Sequence, residues 1–390
     1  MANETVTAAP VPRTQCHWAA TGIIYLIFTA TGTAIVLPGT LLPSLLVRWS
    51  LTDQQAGLLF LFFFIGSSTG ALLSRGRLYY SVARGAIISA AGVGLLAVAS
   101  QVSSFFAMLL FGLGLGLTMT SVSLLQSRRC ATTRKTEMAR LNLLWAVGAS
   151  LGPSMLLRGV TRWSFSTVVF TASSLFVVFA MLAASMLNSS ETASPKHISK
   201  DFLGNFSAIP LLSLALVPLA TGVESSVGGW LATYSRREGL MLGQTVSTVT
   251  LFWLGLMLGR LVLSGRLGTK LSEKVTLRFA PLLMIVGSVL LIAGHSQSYL
   301  LAGAILIGFG VGPVYPLMLG LLLKETNADN VIFLTAGIGA SALPLLTGLV
   351  SGATGSLATG LAVPLVASVM MALFGHSVNT GQRQSTAISN

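Results

Sequence analysis

Of the ten acidic residues in this 390-residue chain, Glu224 alone sits inside an apolar stretch; Glu4, Asp53, Glu137, Glu191, Asp201, Glu238, Glu273, Glu325 and Asp329 read as loop or tail residues. An ionised carboxylate at mid-bilayer costs about 2.5–3.5 kcal/mol on the insertion scale. Glu224 must therefore face a polar hollow or hold a proton. Such a group can accept hydrogen bonds from hydroxyls or carry H⁺ or Na⁺; it can also merely satisfy backbone groups where Gly228-Gly229 loosens its helix. The one base within a span is Arg260. Counted by helical rise, Glu224 lies about 21 Å and Arg260 about 9 Å above the inner face. No direct pair is expected, and Arg260 reads as a gating or bracing residue whose head snorkels inward.

Asn142 and Trp145 are three apart and share a helix face. An amide beside an aromatic ring suits a sugar, with the ring on the C–H face and the amide on the hydroxyls; interhelical glue and packing are the plain alternatives. Trp253 in mid-helix and Trp230, one turn before Tyr234, carry donors that want partners and read as substrate contacts, with packing or interface duty as the plain alternative. Gln126 and Tyr315 occupy the inner parts of their helices and serve as substrate contacts, gate or glue.

The elements that position these side chains follow from composition. Charged residues are 8% of the chain, against about 25% in soluble domains. Hydrophobic residues reach 53% and mean hydropathy is +0.82. So few charges cannot cover a globule in water, so the outer surface faces lipid. That excludes a soluble enzyme, a secreted disulfide scaffold and a disordered hub. No G-x-x-x-x-G-K-[ST] phosphate loop, Cys/His metal spacing or spaced triad occurs, so neither an ATP-driven pump nor a metal or cofactor enzyme is expected.

Apolar runs long enough to cross a bilayer number twelve: 20–47, 55–74, 80–100, 105–126, 138–157, 164–187, 207–234, 243–265, 276–295, 298–323, 330–350 and 355–375. The fold class is thus an all-α membrane protein of two six-helix bundles, 19–187 and 207–375. A polar linker (188–206) joins them, and tails (1–18 and 376–390) flank them. With the amino terminus inside, the inner segments hold 17 Lys and Arg and the outer ones 5, which places both termini in the cytoplasm of a cell (inner) membrane protein. The same count explains the net charge of +13 without nucleic acid. Trp18, Trp49 and Trp163 fall where an interfacial aromatic belt belongs. Cys16 and Cys130 both lie on the inner side, where reduced thiols are expected.

Three motifs recur in order. GASLGP at 148–153 returns as GASALP at 339–344, 191 positions later. Gly112-x-Gly114-x-Gly116 returns as Gly308-x-Gly310-x-Gly312, and Gly66-x-x-x-Gly70 as Gly255-x-x-x-Gly259. Two halves in the same orientation are the parallel-repeat plan of a secondary transporter, which can work as a monomer.

Over all twelve helices the chain resembles the major facilitator superfamily. That family carries G-x-x-x-D-x-x-G-R-[RK] between helices 2 and 3. Here Gly70 to Arg77 reads GALLSRGR, with Ser74 at the acidic position and Arg75 and Arg77 as the basic gating cluster. Helix 7, with Gly222-x-Glu224, Gly228-Gly229-Trp230 and Tyr234, is similar to the fucose permease-like and sodium-dependent glucose transporter-like branches. So are Phe252-Trp253-Leu254-Gly255 leading to Gly259-Arg260-Leu261, and Leu141-Asn142 leading to Gly152-Pro153. The resemblance implies a monosaccharide such as a hexose, or a similar polyol; uptake by H⁺ symport is the expectation for its coupling, with Na⁺ coupling or uniport as variants. Helix 1 lacks the branch's carboxylate, and helix 4 offers only Gln126. The alternative is an H⁺-coupled exporter of amphipathic drugs. It is motivated by Gly148-x-x-x-Gly152-Pro153, a partial antiporter signature with Leu156 where Gly is expected, and by the Met-rich apolar helices.

Overall fold

The structure is a computed structural model that describes residues 18–74, 76–130, 134–186, 211–264, 271–325 and 329–377. Helices α1 (Trp18–Trp49), α2 (Asp53–Leu72), α3 (Leu78–Leu96), α4 (Gln101–Arg129), α5 (Arg134–Arg162) and α6 (Phe165–Ser185) form the first half. Helices α7 (Leu211–Arg237), α8 (Leu242–Ser264), α9 (Glu273–Ala293), α10 (Gln297–Glu325), α11 (Asp329–Thr354), α12 (Leu357–Gly360) and α13 (Ala362–Ser377) form the second. The one-turn α12 and α13 together make the twelfth span. The linker 188–206, Arg75, Cys16 and residues 378–390 of the carboxyl tail lie outside the described residues. We call the face where α1 starts and α13 ends the terminal face, and the other the distal face.

Short polar caps set the reversals. Thr52 and Gln55 form a capping box at α2, Ser100 and Ser103 one at α4, and Ser164 and Ser272 cap α6 and α9. Each satisfies backbone donors that a helix start would otherwise bury unpaired.

The repeated glycines are where helices cross. In the first half, a Cβ on Gly112 would stand 1.9 Å from the Phe63 carbonyl oxygen; in the second, one on Gly308 would stand 2.0 Å from that of Phe252. Gly148 meets Thr29 O at 1.9 Å, and Gly339 meets Pro218 O at 2.0 Å, in the same way. The pairs α2–α4 and α1–α5 thus repeat as α8–α10 and α7–α11. Lipid offers no hydrophobic drive between helices, so such backbone approach supplies their packing. Gly112→Leu and Gly308→Leu should each lower thermal stability by about 1–3 kcal/mol or more, because a side chain must displace backbone. Gly22→Ala, with nothing within 4 Å, should leave the unfolding midpoint of the purified protein unchanged.

The halves meet through α1–α7, α2–α11 and α5–α8. The distal part of this seam is tight. Ten consecutive α7 residues, Ser226 to Ser235, are buried, and a Cβ on Gly39 would stand 2.5 Å from the Gly228 carbonyl oxygen. The Phe60 ring of the first half packs edge-on against Trp230 of the second at 5.8 Å. At the rim Arg237 holds Asp53 through two bonds of 2.6 and 2.7 Å, and Ser351 also donates to Asp53. Towards the terminal face, neither α4 nor α5 packs extensively on α10 or α11 among the described residues.

Three expectations change. Trp49 is no interfacial anchor: it is 8% exposed and donates to the Ala99 carbonyl at 2.9 Å, whereas Trp163 is 58% exposed. A tryptophan at a helix end serves the protein instead of the interface when a free carbonyl lies within its reach. Cys130 is disulfide-bonded, against the expected thiol. Glu137 is not a loop residue, and Asp53, Glu273, Glu325 and Asp329 likewise begin or end helices. Helix α5 begins four residues earlier than the apolar run, so Glu137 sits in its first turn, where a carboxylate is favoured.

Candidate functional site

Glu224 of α7 and Arg260 of α8 form an ion pair, with Nη2 at 3.1 and 3.4 Å from the two carboxylate oxygens. This corrects the separation expected from helical rise. That count measured both residues from helix ends taken as level, and they are not. The register between α7 and α8 is set where Gly228 abuts Trp253 and Phe252. In an antiparallel pair that puts Glu224 beside residues 256–257, so Arg260 is about one turn, roughly 5 Å, away. An extended guanidinium closes that gap.

The pair is not confined to one half. The guanidinium carbon of Arg260 lies 5.0 Å from the Trp145 ring centroid, and Trp145 belongs to α5 of the first half. Trp145 meets Trp253 edge-on at 6.1 Å, and Trp253 meets Phe252 at 5.2 Å. A glycine at 228 is required for this, since a Cβ there would be 2.8 Å from the Trp253 ring. Tyr315 of α10 lies within electrostatic reach of both charges. Carboxylate, guanidinium and two indoles thus converge at the seam, where the Glu224 and Arg260 side chains keep 18% and 19% exposure.

Three donors of this cluster, Trp145 Nε1, Trp253 Nε1 and Arg260 Nε, are buried and find no acceptor among the described residues. A buried donor left unpaired costs about 1–3 kcal/mol. Together with the acceptor oxygens of Glu224, they describe a surface complementary to a molecule rich in hydroxyl or carbonyl oxygens.

Asn142 is exposed and has a distinct place. Leu143, Leu151 and Met155, at 38%, 55% and 63% exposure, mark the lipid-facing stripe of α5. On the helical wheel Asn142 falls roughly opposite that stripe. Its exposure is therefore to the cleft between the halves, one turn towards the terminal face from Trp145.

The other expected site residues lie elsewhere. Trp230 is fully buried in the distal closure and donates to the Pro344 carbonyl at 3.0 Å. Gln126 is fully buried within the first half and donates to Glu137 at 2.8 Å. Glu137 also accepts from Tyr25 and pairs with Arg140 at 2.7 Å, tying α1, α4 and α5 together. Arg77 occupies the N-cap position of α3 without a side-chain capping bond and is exposed. Sequence reasoning missed this Glu137 cluster and the Asp53–Arg237 pair. For Glu137 the signal was an acid before an apolar run; for Asp53 and Arg237, 184 positions apart, there was none.

Comparisons with known proteins agree with this architecture. Residues 22–333 match the family model of the Major Facilitator Superfamily. The fold is similar to the crystal structure of a point mutant of the nucleoside transporter NupG, with TM-score 0.72 and 12% identity over 93% of this chain and 98% of that one. It is similar to that of a point mutant of the E. coli fucose:proton symporter FucP, with TM-score 0.61 and 16% identity over 94% of this chain and 100% of that one. A bacterial homologue of the human lysosomal transporter Spinster gives TM-score 0.69 and 14% identity over 95% and 98%. No curated protein matches the chain.

Proposed function

Because the chain belongs to the Major Facilitator Superfamily, we propose that it is a secondary active transporter moving a small neutral polyol, a monosaccharide such as a hexose, by H⁺ symport. The observation that carries this reading is the Glu224–Arg260–Trp145 constellation, which joins both halves at the level where exposure persists. The rings cover a sugar's C–H face, and the orphan indole and guanidinium donors take its hydroxyl oxygens. Asn142 and Tyr315 extend the polar lining towards the terminal face. Ionised Glu224 holds Arg260 through both oxygens. Protonation removes that hold and frees the guanidinium for the substrate, so that proton and solute binding are linked.

The 17-to-5 division of basic residues assigns the terminal face to the cytoplasm. The protein would then sit in the cytoplasmic membrane with its outer gate shut, working as a monomer.

A second reading has its own support. A nucleoside offers a ribose polyol and a planar base, which suits two adjacent indoles, and NupG is among the similar folds. One experiment separates the readings: counterflow of radiolabelled hexose and of labelled nucleoside in proteoliposomes, for the wild type and Glu224→Gln. Hexose counterflow retained in the variant, with pH-driven accumulation lost, is the expected result. Unchanged accumulation would remove Glu224 from coupling, and nucleoside exchange without hexose exchange would reassign the substrate.

A further inference from the structure

Two arginines on the terminal face, Arg77 and Arg84, have no acidic partner among the described residues. The position before them that would supply one in the resembling family is Ser74, which is neutral and bonded to Ser121 at 2.7 Å. The turn at Gly76, with φ 74°, brings Arg77 to the head of α3. Arg84 follows about 10 Å along the helix, its guanidinium carbon 5.3 Å from the centre of the Tyr80 ring.

Both arginines border a recess of about 190 Å³ between α2, α3 and α4. Its polarity changes with depth. Arg77 and Tyr80 stand at the terminal end, Arg84 lies at the level of Leu117 further in, and Ile88 and Leu113 line the deep end. Among the described residues helix α3 packs extensively only on α4 and α6, so this side looks away from the seam between the halves and into the bilayer. Leu73 and Tyr80 at its mouth are 57% and 51% exposed.

We propose that this recess binds one anionic phospholipid, its phosphate held between Arg77 and Arg84 and its chains lying along Ile88 and Leu113. Basic pockets at the cytoplasmic edge of membrane helices suit such headgroups. The apolar depth selects a lipid over a free phosphate, which has nothing to place there. The site neutralises two charges that no side chain among the described residues neutralises, and it clamps the α2–α3 turn to α4.

Native mass spectrometry of the delipidated full chain tests this. Phosphatidylglycerol should be retained one per chain and in preference to phosphatidylcholine with the same acyl chains. Arg77→Gln/Arg84→Gln should weaken that retention about thirtyfold, while Arg158→Gln/Arg162→Gln should leave it unchanged. Ile88→Trp, which fills the deep end and keeps both charges, should also release the lipid. Thermal unfolding confirms that each variant is folded. Equal retention of the two lipids, full retention in the folded Arg77/Arg84 variant, or displacement by equimolar inorganic phosphate would each overturn the proposal.

Discussion

Asp53→Asn is expected to open the distal face. In the closed state the carboxylate takes two bonds from Arg237 and one from Ser351, and it links α2 of one half to α7 and α11 of the other. Charge-assisted bonds of this kind contribute about 1.5–3 kcal/mol. The Asp53 side chain is 10% exposed, but that of Arg237 is 43% exposed, so solvent screens part of the gain. A loss near the lower figure, about 1.5 kcal/mol, shifts the closed-to-open ratio about tenfold. Electron–electron resonance between spin labels at Val47 and Met241 reads the shift. These residues are 83% and 70% exposed and lie on the distal side of different halves. The distance distribution should lengthen in Asp53→Asn and in Arg237→Gln. Exchanging the charges, Asp53→Arg with Arg237→Asp, should largely restore the short distance. An unchanged distribution in both single variants would mean that the pair follows closure without holding it.

Arg260→Gln should destabilise the protein more than any surface change, and pairing it with Glu224→Gln should reverse most of the loss. Removing one partner of a fully buried ion pair costs about 3–5 kcal/mol, because the other charge stays behind unpaired. Here each side chain keeps roughly a fifth of its exposure, so about 2 kcal/mol is expected for either single variant. The double variant leaves two neutral amides and no orphan charge. Its unfolding midpoint should therefore return towards wild type, while transport stays lost. Arg260→Lys keeps the charge but gives up the planar stacking on Trp145, and should fall between. A double-mutant cycle measures the coupling. Strictly additive single effects would show that the two groups do not act as a unit.

The parts of this molecule legible in its sequence are those encoded locally. Twelve apolar runs specify twelve spans, and glycines repeated half a chain apart mark the same crossings in each half. Glu224, Arg260, Trp145 and Trp253 could each be singled out because a polar or aromatic group within an apolar helix is conspicuous. Their meeting was not legible. It depends on the register of α7 against α8 and on the approach of α5 from the other half, which side-chain volumes at Gly228 and Trp253 decide. The assignment of Trp230 to the site failed for a related reason. A helix seven turns long passes through both the open and the closed parts of the seam, and spacing alone does not mark the border. Glu137 was missed because the polar run before α5 hides where the helix begins.

Where α1 crosses α7, two main chains touch with no side chain between them, Gly39 lying against Gly228 and Gly229. Such a contact has no rotamer to unlock and no interdigitated knob to withdraw, so parting the helices there requires no side-chain rearrangement. The barrier to reorientation is then set by the fasteners around it, which makes the speed of the cycle tunable at the rim.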